Sequence, residues 1–131
     1  MTQHCDRPLS PHLSIYKPQI SSVLSIMHRI TGVVLFICIL DLAWFMILLL
    51  GNGIGFSFVD WDLVSMSNTW WFKLYIICLL FCLYYHLLNG IRHLLWDAGF
   101  GFEKSTMHKT GWGVVVLTIV MTAFTLYLML Q

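Results

Sequence analysis

Residues 70–97 read WWFKLYIICLLFCLYYHLLNGIRHLLWD, and this stretch decides how the chain is built. It opens as an apolar run from Trp70 to about Leu88, with one charge, Lys73, near its start. That is close to the ~20 residues a helix rising 1.5 Å per residue needs to cross ~30 Å of hydrocarbon. Into the end of the run come His86, Arg92, His93 and Asp97. A charged group at membrane depth costs roughly 2.5–3.5 kcal/mol on insertion scales, so such groups have partners or a task. At about 100° per residue, His86, Gly90, His93 and Asp97 fall within about 60° of one another on one helix. A polar stripe with a gap at glycine is a face presented to a cofactor or a partner, not to lipid.

Composition places the rest of the chain in the same class. Of 131 residues, 59% are hydrophobic and 10% charged, with a mean hydropathy of +0.81; soluble domains run near 25% charged. Two further apolar runs flank the first, from about Ile30 to Leu50 with Asp41 as its one charge, and from Gly111 to Leu130 with none. With their polar ends included, the helices are expected at about 22–51, 68–97 and 110–130. The runs lack the period-2 alternation of barrel strands and are twice a barrel strand's length. The expected fold is therefore an all-α membrane protein, with three transmembrane helices in a domain spanning residues 21–131. Such a bundle is thin, and a second membrane subunit is expected to complete it.

Residues 1–20 carry all three prolines, Pro8, Pro11 and Pro18, which favour extended or turn backbone over helix. This segment is expected to be ordered by lying against soluble partner subunits. Ser21 and Ser22 offer an N-cap for the first helix. Net charge is only +1, but its distribution is informative. Arg7, Lys17 and Arg29 precede the first apolar run, Arg92, Lys104 and Lys109 surround the second connection, and residues 51–69 hold Asp60 and Asp62 but no cation. By the positive-inside rule the N-terminus faces the cytoplasm. Trp61, Trp70 and Trp71 then mark one interface, and Trp96 and Trp112 the other. The first 29 residues show neither the apolar core of a cleavable signal nor an Arg/Ser-rich transit segment. A bacterial inner membrane is accordingly expected ahead of a mitochondrial one. Cys5, Cys38, Cys78 and Cys82 form no CxxC or CxxCH pattern, and Cys78 and Cys82 read as packing residues inside a span.

A second polar stripe opens the first helix. Ser25, His28, Arg29 and Gly32 are spaced i, i+3, i+4, i+7 and so share a face. In the inferred topology this face lies at a depth similar to that of His93 and Asp97, while His86 lies seven residues, about 10 Å, deeper. A neutral imidazole is a common axial ligand for haem iron. His86, with Gly90 one turn away to admit a flat macrocycle, is the best candidate. His93 cannot be the opposite ligand to the same iron, since residues i and i+7 of one helix cannot face each other across a plane. His28 reads as too shallow for that role, so a second histidine ligand would come from another subunit. His28, Arg29, Arg92 and His93 would then be donors to haem propionates. Plainer readings stand beside these. His28 and His93 fit interfacial residues, Arg92 fits a side chain snorkelling to headgroups, Asp97 fits a helix end, and Ser25 and Gly32 fit ordinary membrane helix contacts. Asp41 belongs to neither stripe.

The two stripes lie in longer motifs. One runs Arg7-Pro8-Leu9-Ser10-Pro11-His12-Leu13-Ser14-Ile15-Tyr16-Lys17-Pro18 and continues through Ser25-Ile26-Met27-His28-Arg29-Ile30-Thr31-Gly32. The other is His86-Leu87-Leu88-Asn89-Gly90-Ile91-Arg92-His93-Leu94-Leu95-Trp96-Asp97-Ala98-Gly99. In these motifs, about a third of its length, the chain resembles the cytochrome b-type membrane anchor subunit of succinate dehydrogenase, the succinate–quinone oxidoreductase of complex II. The resemblance implies that His86 is the axial ligand of haem b, with the second ligand on a companion membrane subunit. It implies that Ser25 and Arg29 bind ubiquinone, with Asp97 beside the arginine, and that His28 and His93 lie close to the haem propionates. It further implies electrons arriving from succinate through a flavoprotein subunit and an iron–sulfur subunit, so that this chain is no enzyme alone. Alternatives from other classes are a purely structural membrane anchor, a quinol-oxidising fumarate reductase anchor, and a small transporter subunit. Three spans without repeats or broken helices are not the usual transporter pattern.

Overall fold

A computed structural model of the chain describes residues 15–53, 69–129 and 131. Three helices make up the described fold: α1, Ile20–Gly53; α2, Trp70–Asp97; and α3, Lys104–Met129. Each contains a stretch long and apolar enough to cross a membrane, Ile20–Leu48, Trp70–Asp97 and Lys104–Met129. The fold is all-α, as expected. The motif over residues 7–14, Cys5 and Trp61 lie outside the described residues.

The helix ends follow local chemistry. Pro18 stands two residues before α1, and the first turn closes with Val23 N–H on the Gln19 carbonyl at 3.1 Å. Ser21 and Ser22 therefore lie inside the helix and do not cap it. At the far end of α2, Gly99 takes φ +89°. Its N–H donates to the Trp96 carbonyl (2.8 Å), and Phe100 N–H donates back to Leu95 (3.0 Å). These are the two bonds of a Schellman cap, which needs a left-handed residue where the helix stops. Gly101, at φ +83°, completes the reversal. The polar turn Lys104–Lys109 is already helical, so α3 starts six residues before the expected 110. A hydropathy reading misses that turn because its side chains are polar while its backbone is bonded like the rest.

α2 sits between the other two helices, which touch each other less. The packing inverts the soluble pattern. Large apolar side chains point outward on all three helices, among them Phe36, Trp44, Leu50, Leu94 and Phe124. The interior holds Leu24, Tyr85 and Val114 together with the polar Thr31, Asn89, Arg92, Thr118 and Thr122. Lipid supplies no drive to bury apolar surface, so close backbone approach and interhelical hydrogen bonds hold such helices together. Both devices are present. A Cβ on Gly111 would stand 3.0 Å from Leu24 Cδ1, so α3 approaches α1 there at glycine distance. Thr118 and Thr122 donate to carbonyls of their own helix at 2.8 Å, which leaves no bare hydroxyl at either position.

One network ties all three helices at the end where both polar stripes lie. The Leu24 carbonyl of α1 accepts from Tyr85 Oη (2.9 Å) and Asn89 Nδ2 (3.3 Å) of α2. Arg92 donates to Asn89 Oδ1 (3.4 Å), Thr110 Oγ1 (3.2 Å) and the Met107 carbonyl (3.0 Å), with its guanidinium carbon 4.1 Å from the Trp96 ring centre. At 5% exposure Arg92 does not snorkel. Three of its N–H groups are engaged by α3 and Asn89.

Candidate functional site

The site lies where α1 and α2 meet, and two glycines create it. A Cβ on Gly32 would stand 3.0 Å from His86 Cε1, and one on Gly90 would stand 3.6 Å from His28 Cε1. Each helix therefore receives the other's imidazole at a residue without a side chain. The result is a stacked pair, His28 over His86, with ring centres 3.9 Å apart and planes 10° from parallel. His93 joins from one side, 5.4 Å from His28, and Trp96 meets His93 edge-on at 5.1 Å.

This arrangement revises one expectation. His28 is not too shallow to reach the level of His86, because α1 begins at Ile20 and His28 is already more than two turns into it. Gly90 faces the His28 ring on one side and open space on the other, so the expected approach at this glycine is shared with His28. Stacked face to face, the two rings do not point their nitrogens at one another. Among the described residues, no three His, Cys, Asp or Glu side chains gather as a cage for a bare metal ion.

The ring nitrogens differ in their surroundings. His86 Nδ1 lies 3.1 Å from the His28 carbonyl and 3.3 Å from Thr31 Oγ1. A carbonyl only accepts, so Nδ1 is the donor in this bond and carries a proton. His28 Nδ1 is buried with no hydrogen-bond partner among the described residues.

Beside the stack is a cavity of about 510 Å³ lined by Ser25, His28, Arg29, Gly90, His93 and Leu94. The structure thus brings Ser25 and Arg29 together with His28 and His93, as the two stripes predicted. The lining contains a guanidinium, a hydroxyl and two imidazoles but no carboxylate, a set suited to oxygen acceptors or an anion. Asp97 is exposed at the last residue of α2 and is not part of this lining. Asp41 is exposed on α1. Sequence reading missed Thr31, and it missed Asn89 and Tyr85 as partners of Leu24. Thr31 directly precedes Gly32, and Asn89 directly precedes Gly90. A polar side chain beside a glycine inside a membrane span was the available signal.

A three-helix membrane protein whose polar interior converges on a histidine stack is the class that fold and site define. Residues 3–125 match the family model described as succinate dehydrogenase/fumarate reductase transmembrane subunit. Similar curated proteins include the succinate dehydrogenase cytochrome b556 subunit of Rickettsia felis, 47% identical over 116 residues, covering 88% of this chain and 87% of that one. The cytochrome b556 subunit of Paracoccus denitrificans is 34% identical over 121 residues, covering 92% and 90%. The cytochrome b560 subunit of Reclinomonas americana is 38% identical over 128 residues, covering 93% and 85%. The chain belongs to the family of succinate dehydrogenase/fumarate reductase transmembrane subunits.

Proposed function

We propose that this chain binds haem b and ubiquinone as a membrane anchor of succinate dehydrogenase, serving electron transfer from the iron–sulfur subunit to the quinone. The observation that carries the proposal is the state of His86. Metal-bound histidines characteristically donate their other ring N–H to a carbonyl or carboxylate. His86 Nδ1 makes that bond to the His28 carbonyl, which leaves Nε2 as the ligand nitrogen. The residues present therefore fit a haem. His86 would be one axial ligand, and a histidine of a second membrane subunit the other. When bound, the haem supplies a one-electron redox centre whose potential the surrounding protein sets. His28 and His93 are the proposed propionate-side donors, joined by Arg29.

Quinone is proposed for the adjoining cavity. A quinone carbonyl gains negative charge as it is reduced, and a fixed guanidinium with a hydroxyl beside it stabilises that charge. Arg29 and Ser25 provide the pair. Asp97, four residues beyond His93, completes the proposed set as its acidic member from outside the cavity lining. Residues 1–20 are proposed to contact the soluble flavoprotein and iron–sulfur subunits, with the N-terminus on the cytoplasmic side of a bacterial inner membrane.

Two variants of the assembled complex test this reading. His86→Ala is expected to lose the b-type absorption band; an unchanged low-spin spectrum refutes the ligand. Arg29→Leu is expected to keep the band but slow quinone reduction, and a wild-type rate removes Arg29 from the quinone site.

A further inference from the structure

We infer that Thr31 and Gly32 are positioning residues for the His86 imidazole, which together fix both its tautomer and its seat against α1. The inference rests on the haem reading above but concerns residues that reading does not use. Thr31 is 2% exposed. Its hydroxyl donates to the His28 carbonyl at 3.0 Å, so its single proton is spent within α1. The Thr31 oxygen can then meet His86 Nδ1, 3.3 Å away, only as an acceptor. The Nδ1 proton thus lies between two acceptors, the His28 carbonyl and the Thr31 hydroxyl, both on the same turn of α1. A proton held in this way makes the imidazole a more basic ligand at Nε2.

Gly32 sets the distance at which this happens. A Cβ there would lie 3.0, 3.5 and 3.9 Å from His86 Cε1, Nδ1 and Nε2. These are the two nitrogens of the ring and the carbon between them. Any side chain at position 32 therefore meets the edge that carries both the hydrogen bond and the ligand nitrogen. The ring moves outward, and its bond to α1 lengthens. A threonine serving only to satisfy its own hydroxyl would back-bond within α1 and leave His86 untouched. Here the hydroxyl does both.

The test uses the complete complex in membranes, with haem content, EPR g-values of the oxidised haem and its midpoint potential as readouts. Thr31→Val keeps the side-chain shape without the acceptor. It is expected to retain haem but to favour the reduced form by about tenfold at fixed ambient potential, which is about 59 mV for a one-electron couple. Thr31→Ser restores the hydroxyl and is expected to restore potential and g-values. If Thr31→Val does not assemble, Thr31→Ala carries the same expectation. Gly32→Ala is expected to lower haem content at least threefold or to shift the g-values. A potential that stays put or falls when the hydroxyl is removed overturns the role of Thr31, and an unaltered spectrum in Gly32→Ala overturns that of Gly32. His86→Ala separates the two levels. If it keeps a normal haem, the haem reading fails; if it loses haem while the Thr31 variants are silent, only this inference fails.

Discussion

His28 and His86 stack face to face, 3.9 Å between ring centres, although 58 residues separate them in the chain. The stack forms because each ring lies against a glycine of the opposite helix, and it brings both polar stripes into one site. Through His28 it also links His86 to His93, which depth along a single helix would keep apart.

The glycine at position 90 seats the His28 ring against α2. A lone Cβ would sit 3.6 Å from His28 Cε1, an ordinary contact, whereas a branched side chain would run into the ring. Gly90→Leu is expected to lower haem content in the purified complex, with Gly90→Ala much milder. Equal haem in Gly90→Leu and wild type would show that the stack is dispensable.

Arg29 and Ser25 are expected to contribute unequally to quinone reduction. Removing one fixed donor from a site of developing negative charge costs about 10²–10³ in kcat. Arg29→Lys keeps the charge but not the planar fork, so its kcat is expected to fall at least tenfold. Ser25→Ala is expected to act mainly on KM, by less. Steady-state kinetics with a soluble quinone analogue measure both, and a larger loss for Ser25→Ala reverses the assignment.

Arg92 binds α2 to α3 and, through Asn89, to α1. Hydrogen bonds from a charged donor contribute roughly 1.5–3 kcal/mol, and a buried partner left unpaired costs roughly 1–3 kcal/mol. Asn89→Leu removes the acceptor for Arg92 and one donor to Leu24. It is expected to destabilise the complex by about 2 kcal/mol. Tyr85→Phe loses a single bond to Leu24 and is expected to cost less, near the ~0.6 kcal/mol typical of membrane helix contacts. Thermal denaturation in detergent ranks the two.

The cap at Gly99 makes a separate prediction. Its φ of +89° disfavours any side chain, while a Cβ there meets nothing within 4 Å. Gly99→Ala is thus expected to cost about 1–2 kcal/mol from backbone strain alone, without changing the haem spectrum. A denaturation midpoint equal to wild type would count against the cap.

Run length and mean hydropathy were enough for the three helices and their order, because the need to satisfy every backbone group in lipid leaves a single apolar run of that length only one conformation. The spacing of Ser25, His28, Arg29 and Gly32, and of His86, Gly90, His93 and Asp97, determined which residues share a face, because helical periodicity is local. The rotation and depth of α1 against α2 were decided only by the tertiary structure. Apolar surfaces alike on all sides set no register, so small residues and hydrogen bonds must set it. Gly32, Gly90, Gly111, Asn89, Tyr85 and Thr31 do so here. Their choice put His28 against His86 and turned Arg92 inward to α3, neither of which a single helix's pattern encodes.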